Sequence, residues 1–284
     1  MGQANLNMHF IIKTWGSVFM LFIGERLNGM FKSVRVAIEN RDKKAIQHLA
    51  ETQISMGADY LDLNVGAAEN PVDAMKWLVE CVQELGNVKL SIDSSKIEVL
   101  EAGLSLAKNE PILNSISADT EKMSELFPMA RKFGASVIAL TMDEKGIPST
   151  VDARIELAAL ILATSVDYNF PSDKIFLDPL ILPVNVAQNS PNDVLKTISA
   201  IKDLDVPAPK TVLGLSNVSQ NCSNRGLINR TFLAMAMSHG LDAAILDVSD
   251  RELINTAITA NIILNKDIYC DSFLKCLKTS VIQS

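Results

Sequence analysis

The sequence predicts an α/β fold, a (β/α)8 TIM barrel, on three observations. Eight short apolar runs recur along the 284 residues, each carrying an acid or an amide at or near its end: 22–28, 60–65, 88–93, 111–117, 135–143, 174–178, 211–217 and 243–247. Stretches with helical spacing, long enough for crossovers, separate them. The polar ends fall on all eight runs, whereas an open doubly wound sheet would gather them near one switch point. Continuous apolar runs are what strands need when both faces of a parallel sheet are covered. If the sheet closes, the polar ends share one C-terminal rim, where the active sites of such barrels sit.

In chain order, FIGERLN (22–28) is followed by a predicted helix over 42–56, with Ala45, Leu49 and Ile54 near one face and Gly57 as its stop. After YLDLNV (60–65), Pro71 opens a helix carrying Met75, Leu78, Val79 and Val82 at helical spacing, closed by Gly86. VKLSID (88–93), PILNSIS (111–117) and ASVIALTMD (135–143) precede predicted helices over 95–107, 120–133 and 151–169. KIFLD (174–178), TVLGLSN (211–217) and AAILD (243–247) precede predicted helices over 191–203, 227–239 and 251–264. Gly86, Gly134 and Gly240 stand where a left-handed cap would end a helix before the next strand. No linker-like or low-complexity segment divides residues 20–284, which are expected to form one barrel domain. Residues 1–19 read as a disordered or non-native extension: Trp15–Ile23 is far shorter than the ~20 residues a membrane span needs. Lys13 interrupts the only region a signal peptide could use, and Leu6 stands where myristoylation needs Ser or Thr. A cytoplasmic chain away from membranes is expected.

Composition narrows the function. A hydrophobic content of 48% with 21% charged residues is ordinary for a globular chain. A net charge of -7 without a basic run argues against nucleic acid, whose phosphates call for cationic neutralisation. Cys81, Cys222, Cys270 and Cys276 lack CxxC spacing and read as reduced thiols, with packing the simplest reading for the last two. No GxGxxG follows the first strand and no GxxxxGK(S/T) occurs, so neither a dinucleotide nor a P-loop site is supported.

The rim candidates are Glu25, Asn28, Asp62, Asn64, Asp93, Asn114, Thr141, Asp143, Asp178, Asn217 and Asp247. Any one alone reads as well as a helix N-cap or a turn former. Asp93, Asn114, Asp178 and Asn217 stand out because each follows a fully apolar stretch and would project inward. Asp143 and Asp247 read as turn residues, and the remaining ends as capping or solvated groups. His9, His48 and His239 all fall away from the rim, which removes Ser-His-Asp and Cys-His arrangements and leaves zinc without its usual ligands. A carboxylate-held magnesium stays open on the residues, but no metal is expected. No rim lysine offers a Schiff base. Acids and amides without nucleophiles suit a planar, nitrogen-rich heterocycle: carboxylates accept from N–H and NH₂ groups, and amides donate and accept. The segment Leu213–Arg230 adds five amides within residues 217–229, together with Ser216, Ser219, Arg225 and Arg230. A connection that polar at this rim is usually functional.

GERLNGMF (24–31), LDLNVG (61–66), SIDSS (91–95), LNS (113–115), LDPLILPVNVAQ (177–188) and above all KTVLGLSNVSQNCSNRGLINRTFLAMAM (210–237) resemble the pterin-binding methyltransferases. The likeness runs in order from about residue 20 to 278, and is greatest to the methyltetrahydrofolate:corrinoid methyltransferases and the methyltransferase components of O-demethylase systems. It implies a (β/α)8 barrel whose rim cradles folate. By motif, Asp93, Asn114 and Asp178 match residues that hold the pterin ring, and Asn217 the amide beside its N5 nitrogen. Gln220 and Arg225 match residues lining the folate or corrinoid approach, while Ser216 and Glu25 are further members of the folate site. The implied reactants are tetrahydrofolate or 5-methyltetrahydrofolate and a corrinoid. The D-x-H-x-x-G signature of corrinoid carriers is absent, so the corrinoid is expected on a separate partner protein. The resemblance also implies a homodimer. The implied chemistry passes a methyl group between folate N5 and cobalt, with demethylation the favoured physiological role and methyl supply to a corrinoid iron–sulfur protein the alternative. A dihydropteroate synthase would need a basic constellation this chain lacks. A carboxylate-metal lyase or aldolase and a non-catalytic folate-binding protein are the other readings.

Overall fold

The computed structural model describes residues 20–267. The predicted extension 1–19, His9, Cys270, Cys276 and the last part of the predicted domain lie outside them. Eight strands close into a parallel barrel in sequence order: β1 (Leu21–Gly24), β2 (Tyr60–Leu63), β3 (Leu90–Asp93), β4 (Ile112–Ser117), β5 (Ser136–Leu140), β6 (Ile175–Asp178), β7 (Lys210–Gly214) and β8 (Ala243–Leu246). The β1–β8 pairing, Leu21 beside Ala243 through Gly24 beside Leu246, completes the ring.

Side chains alternate across each strand, and this sorts the apolar residues. Leu61, Leu63, Leu90 and Ile92 face outward into a core shared with the helices. Ile23, Tyr60, Ile112, Ile138, Phe176 and Val212 meet in a separate interior cluster that fills the barrel. Two residues further along, the inward positions turn polar: Asp62 after Tyr60, Asn114 after Ile112 and Asp178 after Phe176. The apolar layer is the floor of the site and the polar layer its lining.

The helices are α1 (Lys32–Glu39), α2 (Lys43–Ser55), α3 (Pro71–Gln83), α4 (Ile97–Leu106), α5 (Thr120–Lys132), α6 (Val151–Asp167), α7 (Ser190–Ile201), α8 (Arg225–Ser238) and α9 (Arg251–Ile263). Their starts have chemical causes. Asp42 accepts from the Ala45 amide at 3.1 Å, Asn70 from Asp73 at 3.3 Å with Pro71 in the first turn, and Asp250 from Leu253 at 3.1 Å. Such caps are worth about 1 kcal/mol each. The expected glycine stops hold left-handed backbones, with φ of 110° at Gly86, 65° at Gly134 and 106° at Gly240.

Two sequence expectations change. Helix α1 is an addition to the predicted set; it buries Val34, Ala37 and Ile38 at helical spacing, but it is eight residues long and lacks a side-chain cap. The apolar runs also extend past the strands. The first and seventh strands stop at Gly24 and Gly214, and the residues beyond form loops and a 3-10 turn over Leu215–Ser219. That excess is loop built to carry side chains over the barrel mouth.

Candidate active site

The lining begins with two carboxylates. Asp62 of β2 is 3% exposed and accepts from the Asn114 amide nitrogen at 3.1 Å. Asp93, at the end of β3, accepts from the Asn64 amide nitrogen at 2.8 Å. Burial raises both above the ordinary carboxylate range, and at Asp62 the neighbouring Asp93 charge pushes in the same direction. Asn64 is itself fixed, because its side-chain carbonyl oxygen accepts from the Gly66 amide at 2.7 Å. Gly29 lets this happen: its amide donates to the Asn64 backbone carbonyl at 2.7 Å, and a Cβ there would stand 2.6 Å from the Val65 carbonyl. Only a glycine permits that approach of two loops.

Asn114 is 7% exposed, and its peptide bond to Ser115 is cis. One hydrogen of its side-chain amide is engaged by Asp62, which orients the group, and its side-chain carbonyl oxygen remains as an acceptor. Asp178 closes β6, 6% exposed, and accepts from the Leu180 amide at 2.8 Å. Burial lifts its pKa to about 7, opposed by the backbone N–H groups of Leu180 and Gly214 and by the Arg154 charge. Leu180 holds a left-handed φ of 60°, unusual for a leucine, at the bend stabilised by this carboxylate.

Glu25 stands just past β1 and accepts from the Ser216 hydroxyl at 2.8 Å. Burial raises its pKa to about 7; the Ser216 hydrogen bond, Arg225 and Arg26 lower it, and Asp247 raises it. Asn217 lies on the 3-10 turn after β7, exposed at the mouth, and its amide nitrogen lies 3.0 Å from where a Cβ on Gly214 would be. Gln220 is exposed just beyond the turn. Arg225, at the first turn of α8, donates from Nε to the Ser219 hydroxyl and from Nη2 to the Ser216 carbonyl, both at 3.2 Å.

The structure therefore gathers Asp93, Asn114 and Asp178 around the barrel interior and Glu25, Ser216 and Asn217 at its mouth. It also adds Asp62 and Asn64, for which capping or solvation was expected. Both point inward and each holds a partner of the lining; the signal was the period of two along YLDLN, which puts Tyr60, Asp62 and Asn64 on one face. Asp143 and Asp247 behave as turn residues, accepting from Lys145 at 2.8 Å and Ser249 at 3.0 Å. Thr141 is buried with its hydroxyl on the Asp178 carbonyl, 3.2 Å away. Among the described residues no group of three or more His, Cys, Asp or Glu side chains has the arrangement of a metal site, and no helix is long and apolar enough to cross a membrane. His48 is exposed on α2, and His239 pairs through Nδ1 with the Ser199 hydroxyl at 2.7 Å.

A parallel eight-stranded barrel whose mouth is a cup of carboxylates and amides over an apolar floor defines a class: (β/α)8 barrels whose polar groups gather at the C-terminal rim. Residues 24–247 match the family described as pterin binding enzyme, and the chain belongs to it. It is 30% identical over 262 residues to a methylcorrinoid:tetrahydrofolate methyltransferase of Eubacterium limosum, covering 91% of this chain and 96% of that one. It is 33% identical over 244 residues to methionine synthase of Mycobacterium leprae, spanning 81% of this chain and only 20% of that much longer protein. In fold it resembles the dihydropteroate synthase of Yersinia pestis, with a TM-score of 0.66 at 17% identity over 87% of this chain and 95% of that one. At that identity the likeness is one of architecture.

Proposed function

We propose that this chain is a methyltransferase that moves a methyl group between N5 of tetrahydrofolate and the cobalt of a protein-bound corrinoid, as the folate-side component of an O-demethylase system. The observation that carries the reading is the match to the E. limosum methylcorrinoid:tetrahydrofolate methyltransferase, which runs along nearly all of both chains. The cup supports it with the right inventory. Asp93, Asn114 and Asp178 offer acceptors to the N–H and NH₂ edge of a pterin, and Gln220 lines the approach of the folate. Glu25 and Ser216 close the mouth beside Asn217, and Arg225 faces the incoming corrinoid.

The corrinoid, brought by a separate carrier protein, supplies a methyl group on cobalt that can leave its electron pair behind. Toward folate, the N5 lone pair takes that methyl group, the carbon–cobalt pair stays on the metal, and N5 then sheds its proton. In the opposite direction N5 is a poor leaving group and needs a donor as the bond breaks. Asn217 can supply that donor as the bond breaks; toward folate, where the N5 lone pair is committed to the methyl group, the same amide can accept from N5–H through its oxygen as positive charge develops. The other residues bind and orient, which is the larger part of what a site without nucleophiles can contribute. The protein works in the cytoplasm as a homodimer.

The test combines purified protein, tetrahydrofolate and methylcobalamin, following 5-methyltetrahydrofolate formation and loss of methylcobalamin absorbance. Wild-type protein should transfer the methyl group, and Asn217→Ala should lower turnover by ~10²-fold or more, the scale of a lost transition-state donor. Folate binding without transfer would instead leave a non-catalytic binding protein. Near-normal turnover in the variant would remove Asn217 from the mechanism. Comparing methylated small corrinoid carriers with a corrinoid iron–sulfur protein as partner separates the demethylation role from methyl supply.

A further inference from the structure

Ser216 is gripped from both sides. Its hydroxyl donates to Glu25 Oε1 at 2.8 Å, and its carbonyl accepts from Arg225 Nη2 at 3.2 Å. Arg225 also reaches the Ser219 hydroxyl at 3.2 Å, so it ties the two ends of the turn together. Asn217 and Val218 lie between these anchors. Gly214, having no Cβ, leaves room for the Asn217 amide nitrogen, which lies 3.0 Å from where that atom would be. Glu25 is anchored in its turn, since its backbone amide donates to the Leu246 carbonyl at 3.1 Å and so ties it to the end of β8. Side chain and backbone of one serine thus connect the ends of β1 and β8 and the start of α8 to the turn that carries the reacting amide.

We propose that Glu25 is a positioning residue for Asn217, acting through Ser216: the ionised carboxylate holds the turn in its working geometry, and protonation loosens it. This rests on the folate–corrinoid reading for its consequence in turnover, but not for the mechanical coupling. A hydrogen bond to a charged acceptor is roughly twice as strong as one to a neutral acceptor, so losing the charge weakens the grip on Ser216. Burial places the Glu25 change near pH 7. The charged groups facing Glu25 are Arg26 from its own strand end, Arg225 from α8, Asp247 from the end of β8 and Asp62 from β2. Arg26 is held by Asp247 at 3.6 Å, which leaves Arg225 as the cation shared with the Ser216 turn. Glu25 therefore needs no contact with substrate to affect the reaction.

Two measurements test this. First, backbone and side-chain amide resonances of residues 215–219 are followed by NMR from pH 5.5 to 8.5 in ligand-free protein. They should move with an inflection near pH 7 in wild type and in Asp178→Asn, and lose it in Glu25→Gln. In Ser216→Ala the Glu25 carboxyl should still titrate while the Asn217 amide no longer follows it. Second, Glu25→Gln should lower kcat by about 10-fold at pH 8 and flatten its pH profile, with affinity for 5-methyltetrahydrofolate changed by less than about 3-fold, one order of magnitude being about 1.4 kcal/mol in the barrier. An unchanged inflection in Glu25→Gln, or an equal loss in kcat and affinity, would overturn the proposal. An inflection that follows Glu25 in a protein that transfers no methyl group would uphold the coupling and sink the proposed reaction instead.

Discussion

Asp178 is one of four carboxylates, with Glu25, Asp62 and Asp93, that burial at the barrel mouth raises above the ordinary range. Its pKa of about 7, raised by burial, means that ionisation is harder in the folded chain than in the unfolded one. The sign follows from linkage: the neutral acid favours the fold below the ordinary carboxylate range near pH 4, and that advantage falls away as pH rises from there through about 7. A tenfold change in an ionisation equilibrium is worth about 1.4 kcal/mol, so the cost of the buried charge at pH 8 is on the order of a few kcal/mol. Asp178→Asn keeps an acceptor for the Leu180 amide and removes the charge. It should therefore raise the melting temperature of the ligand-free protein at pH 8 and change it little at pH 4, while weakening 5-methyltetrahydrofolate binding at least tenfold in calorimetry. Wild-type affinity should tighten from pH 6 to pH 8 as the acceptor ionises. A variant that is destabilised at pH 8, or that binds normally, contradicts this account. Sequence pointed to Asp178 because an acid closing the apolar KIFLD run projects inward, but it could not show how far the pKa moves, which depends on what covers the carboxylate.

At the scale of elements, the turn after β7 carries the most. The strand-like run TVLGLSN extends from Thr211 to Asn217, yet the strand stops at Gly214 and the chain tightens into a 3-10 turn. Gly214 has a φ of -71°, which any residue can adopt, so its role is space rather than backbone freedom. A methyl group there would press on the Asn217 amide nitrogen from 3.0 Å. Gly214→Ala should leave the melting temperature nearly unchanged and reduce kcat by about 10-fold or more, since misplacement of an acting group by less than an ångström is expensive in rate. Unimpaired turnover would show that Asn217 tolerates the shift. Gly29 is the contrasting case. A Cβ there meets backbone rather than a side chain, so Gly29→Ala should lower the melting temperature and displace Asn64, with Asp93 following. The turn was legible in sequence as an amide-rich stretch too polar for a simple connection, but its geometry was not, because apolar letters alone do not mark where a strand yields to a turn. Helix α1 escapes a sequence reading for a related reason: a short helix without a cap looks like loop until its Val34–Ala37–Ile38 face is seen against the core.

For the molecule as a whole, the barrel sets an apolar layer beneath the carboxylates and so makes the site costly to hold without a ligand. A pterin that satisfies the acceptors should offset that cost. At a concentration 100-fold above its Kd, a ligand that binds only the folded state adds about 2.7 kcal/mol, or roughly 5–10 °C in melting temperature for a chain of this size. On the proposed reading, in which the cup holds the ring edge, the rise on adding 5-methyltetrahydrofolate should exceed that with p-aminobenzoate; equal shifts would argue against pterin specificity.

The sequence by itself determined the fold class, the number of strands and the rim where the polar residues gather, because burial on both faces forces continuous apolar runs and closure brings their polar ends together. It also marked Asp93, Asn114, Asp178 and Asn217, since an acid or amide beside buried strands needs a reason. Only the tertiary structure decided that Asp62 and Asn64 belong to the lining, that each is tied to a specific partner, and that Glu25 and Arg225 meet on one serine. Those are contacts between residues 29, 52 and 191 positions apart in the chain. No local pattern encodes such pairs; they exist because closing the barrel sets the ends of β1, β2, β3, β4 and β7 around a single mouth.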